Sequence, residues 1–272
     1  NLPDHHYIVD IAPVGCTIAQ AQRPGEALQC TGHTCSDANC STETQPGLGL
    51  EPPDLKLVTD GQGCPRCRNY VMDDLQGVLN CLMDRPSNSC AWEQPLEAMM
   101  RALTKSHPEN FNFRRPDAHL VVLFLTSEDD CTAATADLFN PEVLSLGDYS
   151  GFRCWRYGVR CDQPWTLDSQ NLIETYSGCR PRTESEGGKL RDVSRYVNEL
   201  RQVVNSGDKR YFIQTIALAG PHETDLQIKY RNDRWEVSQI DGTTVLPNLR
   251  LFDFTWRMSV LAADMQWCGF SL

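Results

Sequence analysis

The stretch His119-Leu-Val-Val-Leu-Phe-Leu-Thr126 decides the fold, because it is an uninterrupted apolar run of strand length. A strand with one face in water alternates apolar and polar residues, whereas a strand covered on both faces is apolar throughout, as in a parallel sheet. The run continues directly into Ser127-Glu-Asp-Asp-Cys131, where three carboxylates are consecutive. The stretch therefore predicts a buried parallel strand that ends in an acidic loop.

Helix and strand patterns alternate on both sides of this run. Apolar residues recur three or four positions apart, which indicates helices, over 70–82, 94–103, 190–204 and 249–263. Further strands are predicted at 7–11, 55–58 and 211–219. This alternation predicts an α/β fold, a doubly wound and mainly parallel sheet with helices on both faces. We expect one domain over residues 1–272, with a disulfide-stapled loop excursion at 16–53 and a loop or hairpin insertion at 222–248.

The chain has thirteen cysteines in 272 residues. A cysteine-rich chain without a clear metal framework is typical of proteins that fold in an oxidising compartment, which predicts a secreted or cell-surface protein. Six bridges leave one cysteine, which is free, bonded to another chain, or bonded to a segment missing from this sequence. Short separations predict the pairs Cys35–Cys40 and Cys154–Cys161, and spacing gives no further pairing.

The net charge of -11 limits the classes of partner. Nucleic acid and anionic membrane surfaces both require a basic face, so neither is expected as a partner. No apolar run reaches the length of a membrane-spanning helix, so no transmembrane segment is expected. The sequence also lacks the nucleophile elbow, the phosphate-binding glycine loop and the dinucleotide fingerprint, and we do not predict an enzyme.

Glu128, Asp129 and Asp130 are the candidate metal ligands. Hard cations such as Mg²⁺ and Ca²⁺ take oxygen ligands from loops of this kind. The alternative is the start of a helix, because acidic side chains are favourable near a helix N-terminus.

Cys64-Pro-Arg-Cys67 is the second candidate for chemistry, because it precedes the predicted helix 70–82. A helix N-terminus lowers the pKa of a thiol, as in thioredoxin-type redox sites. The same residues suit half of a zinc site, but the sequence has no second Cys-x-x-Cys. The third interpretation is a pair of structural cysteines in a bridged loop.

Six stretches of the chain together resemble one protein family. They are 2–9, 88–99, 113–131, 152–161, 195–200 and 216–221. Each is similar to a segment of the cysteine-rich bacterial surface lipoproteins that carry a von Willebrand factor A-like domain. The resemblance spans most of the chain and implies a doubly wound α/β domain at the cell surface.

The resemblance also implies a metal-ion-dependent adhesion site. In that site Asp-x-Ser-x-Ser follows the first strand, a Thr precedes a helix and an Asp follows a later strand. This chain has no Asp-x-Ser-x-Ser, has Ser87-Asn-Ser-Cys90 where the Thr is expected, and has Ser127 at the later Asp position. The resemblance therefore implies a degenerate adhesion site, with a first strand, a metal loop and a signal or lipid-anchor segment expected upstream of Asn1.

From the resemblance we expect an extracellular binding or adhesion protein. Its expected contact residues are Ser87, Asn88, Ser89 and Ser127, and its expected partner is another protein or further copies of this chain. One alternative is a structural subunit of an extracellular filament or surface assembly. A second alternative is a thiol-disulfide oxidoreductase that uses Cys64 and Cys67.

Overall fold

The computed structural model divides the chain into two compact units. The residues that it describes are 10–11, 56–59, 65–68, 76–77, 92–104, 120–168, 170, 172–205, 213–222, 224–238, 245–259 and 270–271. One unit comprises Asn1–Ser89 with His107–Phe113, and the other comprises Cys90–Ser106 with Arg114–Leu272. The excursion expected at 16–53, with Cys35 and Cys40, lies outside the described residues.

The first unit contains a small antiparallel sheet. Strands β1 (Asp10–Ile11), β2 (Lys56–Thr59) and β3 (Pro65–Arg68) pair in the order β1-β3-β2. Strands β1 and β2 overlap the strands predicted at 7–11 and 55–58. Strand β3 was not predicted, and it places Cys67 within a sheet.

A three-stranded parallel sheet lies in the second unit. Its strands are β4 (Leu120–Leu125), β8 (Ile213–Ala219) and β11 (Phe270–Ser271), in the order β11-β8-β4. Strand β4 runs parallel to β8, with Leu120 opposite Ile213 and Leu125 opposite Leu218. The parallel strands predicted at 119–126 and 211–219 are therefore confirmed.

The expectation of a mainly parallel sheet is wrong for the rest of the described structure. Strands β6 (Ile173–Tyr176), β9 (Leu226–Arg231) and β10 (Arg234–Val237) form an antiparallel sheet in the order β10-β9-β6. Strands β5 (Val159–Arg160) and β7 (Arg180–Pro181) also pair antiparallel. The described residues thus form a mixed α/β structure with several small sheets.

The hairpin of β9 and β10 shows why the antiparallel arrangement arises. Its turn is Asn232-Asp233, and both residues have positive φ, 49° and 61°. Two residues at positive φ form the tight turn whose twist matches that of paired strands, and Asn and Asp tolerate this conformation. A two-residue connection can join only antiparallel neighbours. The stretch 222–248 contains this hairpin.

The predicted helices cover one face of the parallel sheet. Helices α1 (Pro95–Leu103), α3 (Val193–Asn205) and α4 (Arg250–Ser259) overlap the predictions at 94–103, 190–204 and 249–263. Their shared core has these fully buried or nearly buried members: Leu96, Met99, Met100, Leu103, Phe124, Val193, Tyr196, Val197, Leu200, Leu251 and Phe254. Leu120 and Val122 of β4 pack against it. The alternate residues of β4 are exposed, so helices on both faces are not found among the described residues.

Two disulfides stabilise the second unit, and they correct the predicted pairing. Cys131 is bonded to Cys154, and Cys161 is bonded to Cys179. The predicted Cys154–Cys161 bridge is wrong because the intervening residues form helix α2 (Phe152–Gly158) and strand β5, and the two cysteines contact different apolar clusters. Sequence proximity alone did not reveal this separation.

Candidate functional site

The acidic loop leaves strand β4 at the edge of the sheet where helices α1 and α4 begin. Thr126 starts the loop, and its side-chain oxygen accepts the N–H of Glu128 at 3.1 Å. In a parallel sheet the carboxyl ends of strands are the usual place for ligands, and helix N-termini favour negative charge.

Asp129 caps helix α4. Its carboxylate accepts the backbone N–H groups of Leu249, Arg250 and Leu251 at 2.9–3.3 Å, and it also accepts the N–H of Asp130 at 2.8 Å. The first N–H groups of a helix have no partner within the helix, so an internal carboxylate satisfies them. The acidic residues thus serve a helix start, as one interpretation held, but this helix lies about 120 residues further along the chain.

Asp130 joins helix α1 to helix α4. Its Oδ1 accepts the N–H of Leu96 at 3.2 Å and the hydroxyl of Thr132 at 2.7 Å. Its Oδ2 accepts the Arg250 guanidinium through Nε at 3.3 Å and Nη2 at 3.2 Å. The two side chains of this ion pair are 0% and 1% exposed, so each charge depends on the other.

The environment changes the proton affinity of two of these carboxylates. Burial raises the pKa of Asp129 to about 6, while the N–H donors and the charge of Arg250 oppose that rise. Burial and then the nearby charge of Glu93 raise the pKa of Glu128. Glu128 is half-buried, and its carboxylate makes no hydrogen bond or ion pair with the described part of the chain.

The metal interpretation of Glu128, Asp129 and Asp130 is therefore wrong for the two aspartates. A carboxylate has about four acceptor positions, and both aspartates already fill them with N–H and O–H donors. Glu128 alone is not a binding site for Mg²⁺ or Ca²⁺. Across the described residues, no group of three or more His, Cys, Asp or Glu side chains is placed to hold a metal ion.

The other predicted site residues divide between exposed, buried and undescribed positions. Ser127 is exposed, and its carbonyl accepts the N–H of Leu246 at 2.9 Å. Ser87, Asn88, Ser89 and Cys64 lie outside the described residues. Cys67 is disulfide-bonded and 1% exposed within strand β3. Cys67 is therefore a buried member of a bridge in this structure, and the redox interpretation of Cys64 and Cys67 stays a prediction.

Arg153 is a structural residue that the sequence did not reveal. It is 2% exposed, and its five N–H groups donate to the carbonyls of Leu138, Asn140, Val143, Gly147 and Asp148 at 2.6–3.2 Å. These carbonyls belong to the segment 136–150, which contains two short 3₁₀ helices. The bridge from Cys131 to the neighbouring Cys154 fastens the same helix α2 to the acidic loop.

A cavity of about 20 Å³ lies beside the acidic loop. Its wall includes the three acidic residues, the Cys131–Cys154 bridge, Trp92, Trp155 and Arg250. Arg250 is the first residue of helix α4, and its Nη1 nitrogen is buried without a hydrogen-bond partner among the described residues. The cavity is too small for an organic ligand, so the acidic loop is a structural junction rather than a substrate site.

The second face of strand β4 is the larger surface feature. Val121, Leu123 and Leu125 are 59%, 56% and 67% exposed. Leu123 lies opposite Ile216 of β8, and Leu125 lies opposite Leu218, so the apolar side chains continue onto the neighbouring strand. We call these five residues the apolar sheet face. A continuous apolar patch of this kind is typical of an interaction surface.

The described residues contain no helix that is both long and apolar enough to cross a membrane. No protein-family model matches the chain, and neither the curated proteins nor the solved structures include a match.

Proposed function

We propose that the protein is a binding module of an extracellular or cell-surface location and that the apolar sheet face contacts its partner. The observation that carries this proposal is the exposure of Val121, Leu123 and Leu125 on one strand. Single exposed apolar residues are normal. Here three alternate residues of one strand are exposed on the same face, and Ile216 and Leu218 of the neighbouring strand extend them into a contiguous patch. Binding, rather than catalysis, is the role that such a patch supports.

The partner that best suits this face is an amphipathic helix of another protein. Parallel sheets normally have both faces covered, usually by helices, and α1, α3 and α4 lie on the opposite face. The net charge of -11 favours a partner with basic residues around its apolar stripe. The same charge opposes association between two copies of this chain.

Two further observations support the compartment and family in this proposal. The Cys131–Cys154 and Cys161–Cys179 bridges favour an oxidising location. The parallel sheet β11-β8-β4 with helices α1, α3 and α4 suits the von Willebrand factor A-like resemblance. We propose membership of that class of surface proteins, with contact through the sheet face and without a metal at Asp129 and Asp130.

Photo-crosslinking in cells that produce the protein tests this function. A photoreactive amino acid replaces Leu123 in one variant and Glu142, an exposed polar residue of the same unit, in the control. We expect a discrete adduct with a second protein from position 123 alone, mapped by mass spectrometry to an apolar helix face. Adducts only within the chain would contradict the proposal. Adducts between two copies would favour the structural-subunit alternative instead.

A further inference from the structure

Within the described part of the chain, strand β6 is an edge of the antiparallel sheet, because it pairs with β9 alone in the order β10-β9-β6. The Leu172 carbonyl accepts the N–H of Tyr230 at 3.0 Å, so every second residue from Leu172 onward turns its backbone groups toward β9. The N–H and C=O groups of Ile173 and Thr175 therefore point away from β9. They make no hydrogen bond with the described residues.

The segment before β6 satisfies the end of this edge and leaves its middle free. The N–H of Ser177 donates to the Gln163 side chain at 3.2 Å. The N–H of Thr166 instead donates to the Tyr176 hydroxyl at 3.1 Å. That hydroxyl lies a ring's length from the backbone of β6, and the ring packs in the apolar core of this sheet. The contact with Thr166 therefore lies on the core side and not along the edge.

The free part of the edge is exposed and lacks the usual protection. Leu172 and Ile173 are 63% and 58% exposed, and Thr175 is also exposed. Natural edge strands are commonly protected by Pro, Lys or a bulge, and β6 (Ile-Glu-Thr-Tyr) has neither Pro nor Lys. The charged side chain of Glu174 accepts the N–H of Asp168 at 2.9 Å on the core side. The edge is thus suited to pair with another strand.

The outer face of the same sheet adds a preference for charge. Alternate residues of β6, β9 and β10 pack in the core. The charged residues of the opposite, outer face are Lys229, Arg231, Arg234 and Glu236. Glu236 forms its ion pair with Arg234 at 2.9 Å, and Lys229 and Arg231 make no ion pair with the described residues. This face is therefore cationic although the whole chain has a net charge of -11.

We propose that the free edge of β6 binds an extended segment of another protein, which adds as a fourth strand and carries acidic side chains over the outer face. In strand addition the backbone hydrogen bonds supply affinity and alternate side chains supply specificity. Lys229 lies opposite Ile173 on β9. Strands are about 4.8 Å apart, so a carboxylate on the added strand and Lys229 lie two strand spacings apart, which their long side chains together span.

Peptide selection on the folded whole protein provides the first test, with a phage-displayed library of random octapeptides as the probe. We expect enriched peptides to carry Asp or Glu at alternate positions. Thr175→Pro removes an outward N–H and leaves the ladder to β9 intact, because an edge strand tolerates Pro where its N–H faces solvent. We expect the Kd of a selected peptide to rise at least about tenfold in this variant.

Three further variants provide the controls. Thr175→Val keeps the N–H and is expected to bind within about twofold of wild type. Leu123→Ala changes the apolar sheet face and is expected to leave peptide binding unchanged, which separates this site from the proposed function. Lys229→Glu/Arg231→Glu is expected to weaken binding at least about fivefold. Equal affinity of the Thr175→Pro and Thr175→Val variants, full binding by the charge-reversed variant, or selected peptides without alternating acidic residues would each overturn the proposal.

Backbone methylation of the selected peptide gives a test that leaves the protein unchanged. In an added strand every second N–H faces β6 and the others face solvent. We expect N-methylation of one alternate set to abolish binding and N-methylation of the other set to preserve it. Equal effects of the two sets would show that the peptide does not pair with the edge, which would overturn the proposal.

Discussion

The two faces of strand β4 have opposite environments although they come from one apolar run. Leu120, Val122 and Phe124 pack against the helical core, and the loop beyond them ties helices α1 and α4 to the strand. Val121, Leu123 and Leu125 are more than half exposed. The apolar character of a strand therefore predicts the burial of one face only, and the second face of β4 is exposed to solvent.

The largest expected effect comes from the buried ion pair of Asp130 and Arg250, which joins the loop after β4 to helix α4. Asp130→Ala leaves Arg250 buried without its counter-ion and removes the cap of helix α1. We expect a loss of about 3–5 kcal/mol in the free energy of unfolding, measured by urea titration. The control is Glu236→Ala, which breaks an exposed pair with Arg234 and is expected to change stability by less than about 1 kcal/mol. Similar losses in both variants would contradict the structural role of the junction.

A pair of adjacent substitutions tests the two faces directly. Phe124→Ala removes a ring that packs edge-to-face on Phe254, with centroids 5.8 Å apart, and we expect a loss of about 3–4 kcal/mol. Leu123→Ala lies next to it on the exposed face and is expected to change stability by about 0.5 kcal/mol or less. Thermal and urea unfolding of both variants measure this contrast. Comparable destabilisation by the two substitutions would show that both faces are covered.

The bridge between the acidic loop and helix α2 has an intermediate expected effect. The double substitution Cys131→Ala/Cys154→Ala opens a loop closed across 23 residues. Loop-closure entropy predicts a loss of about 3 kcal/mol in the free energy of unfolding, measured by urea titration. No residue of the apolar sheet face is part of this bridge, so binding through Leu123 is expected to persist in the folded variant. A variant as stable as wild type would contradict the proposed fastening of the loop.

The pH dependence of stability tests the burial of Asp129. Its pKa of about 6 in the folded protein exceeds the ordinary carboxyl value, so the folded state binds this proton more tightly than the unfolded chain does. Protonated Asp129 stabilises the folded state. This stabilisation is complete below the pKa of the carboxyl group in the unfolded chain, about 4, and it is lost as the pH rises through the pKa in the folded protein.

We therefore expect the stability of the wild type, relative to Asp129→Asn, to fall between about pH 4 and pH 7. Urea titrations of both proteins across this range measure the difference. A difference that does not vary with pH, or that rises, would contradict the burial of this carboxyl group.

The sequence predicted the parallel strands and three of the helices because their apolar patterns are long and regular. It could not separate the two faces of β4, since a run in which every residue is apolar carries no period-two signal. It missed helix α2, where Arg153 and Cys154 interrupt the apolar pattern. The Asn232-Asp233 turn lies within 222–248, where the sequence predicts a loop or a hairpin without deciding between them.

The sequence predicted the acidic loop at the end of strand β4, but it did not predict which groups its carboxylates contact. Three consecutive carboxylates suit a metal or a helix start equally well when only neighbours along the chain are considered. The deciding groups are Arg250 and the N–H groups at the starts of helices α1 and α4, and those of helix α4 lie about 120 residues away. The disulfide pairing could not be predicted for the same reason, because the packing of the fold, and not the spacing along the chain, brings Cys131 next to Cys154.

Hydroxyl-radical footprinting of the native protein, read by mass spectrometry, most directly measures the solvent exposure of the side chains on the two faces of β4. We expect strong oxidation of Val121, Leu123 and Leu125, and protection of Phe124 although its ring is intrinsically more reactive. Equal protection of Leu123 and Phe124 in the isolated protein would contradict an apolar sheet face that is open to a partner.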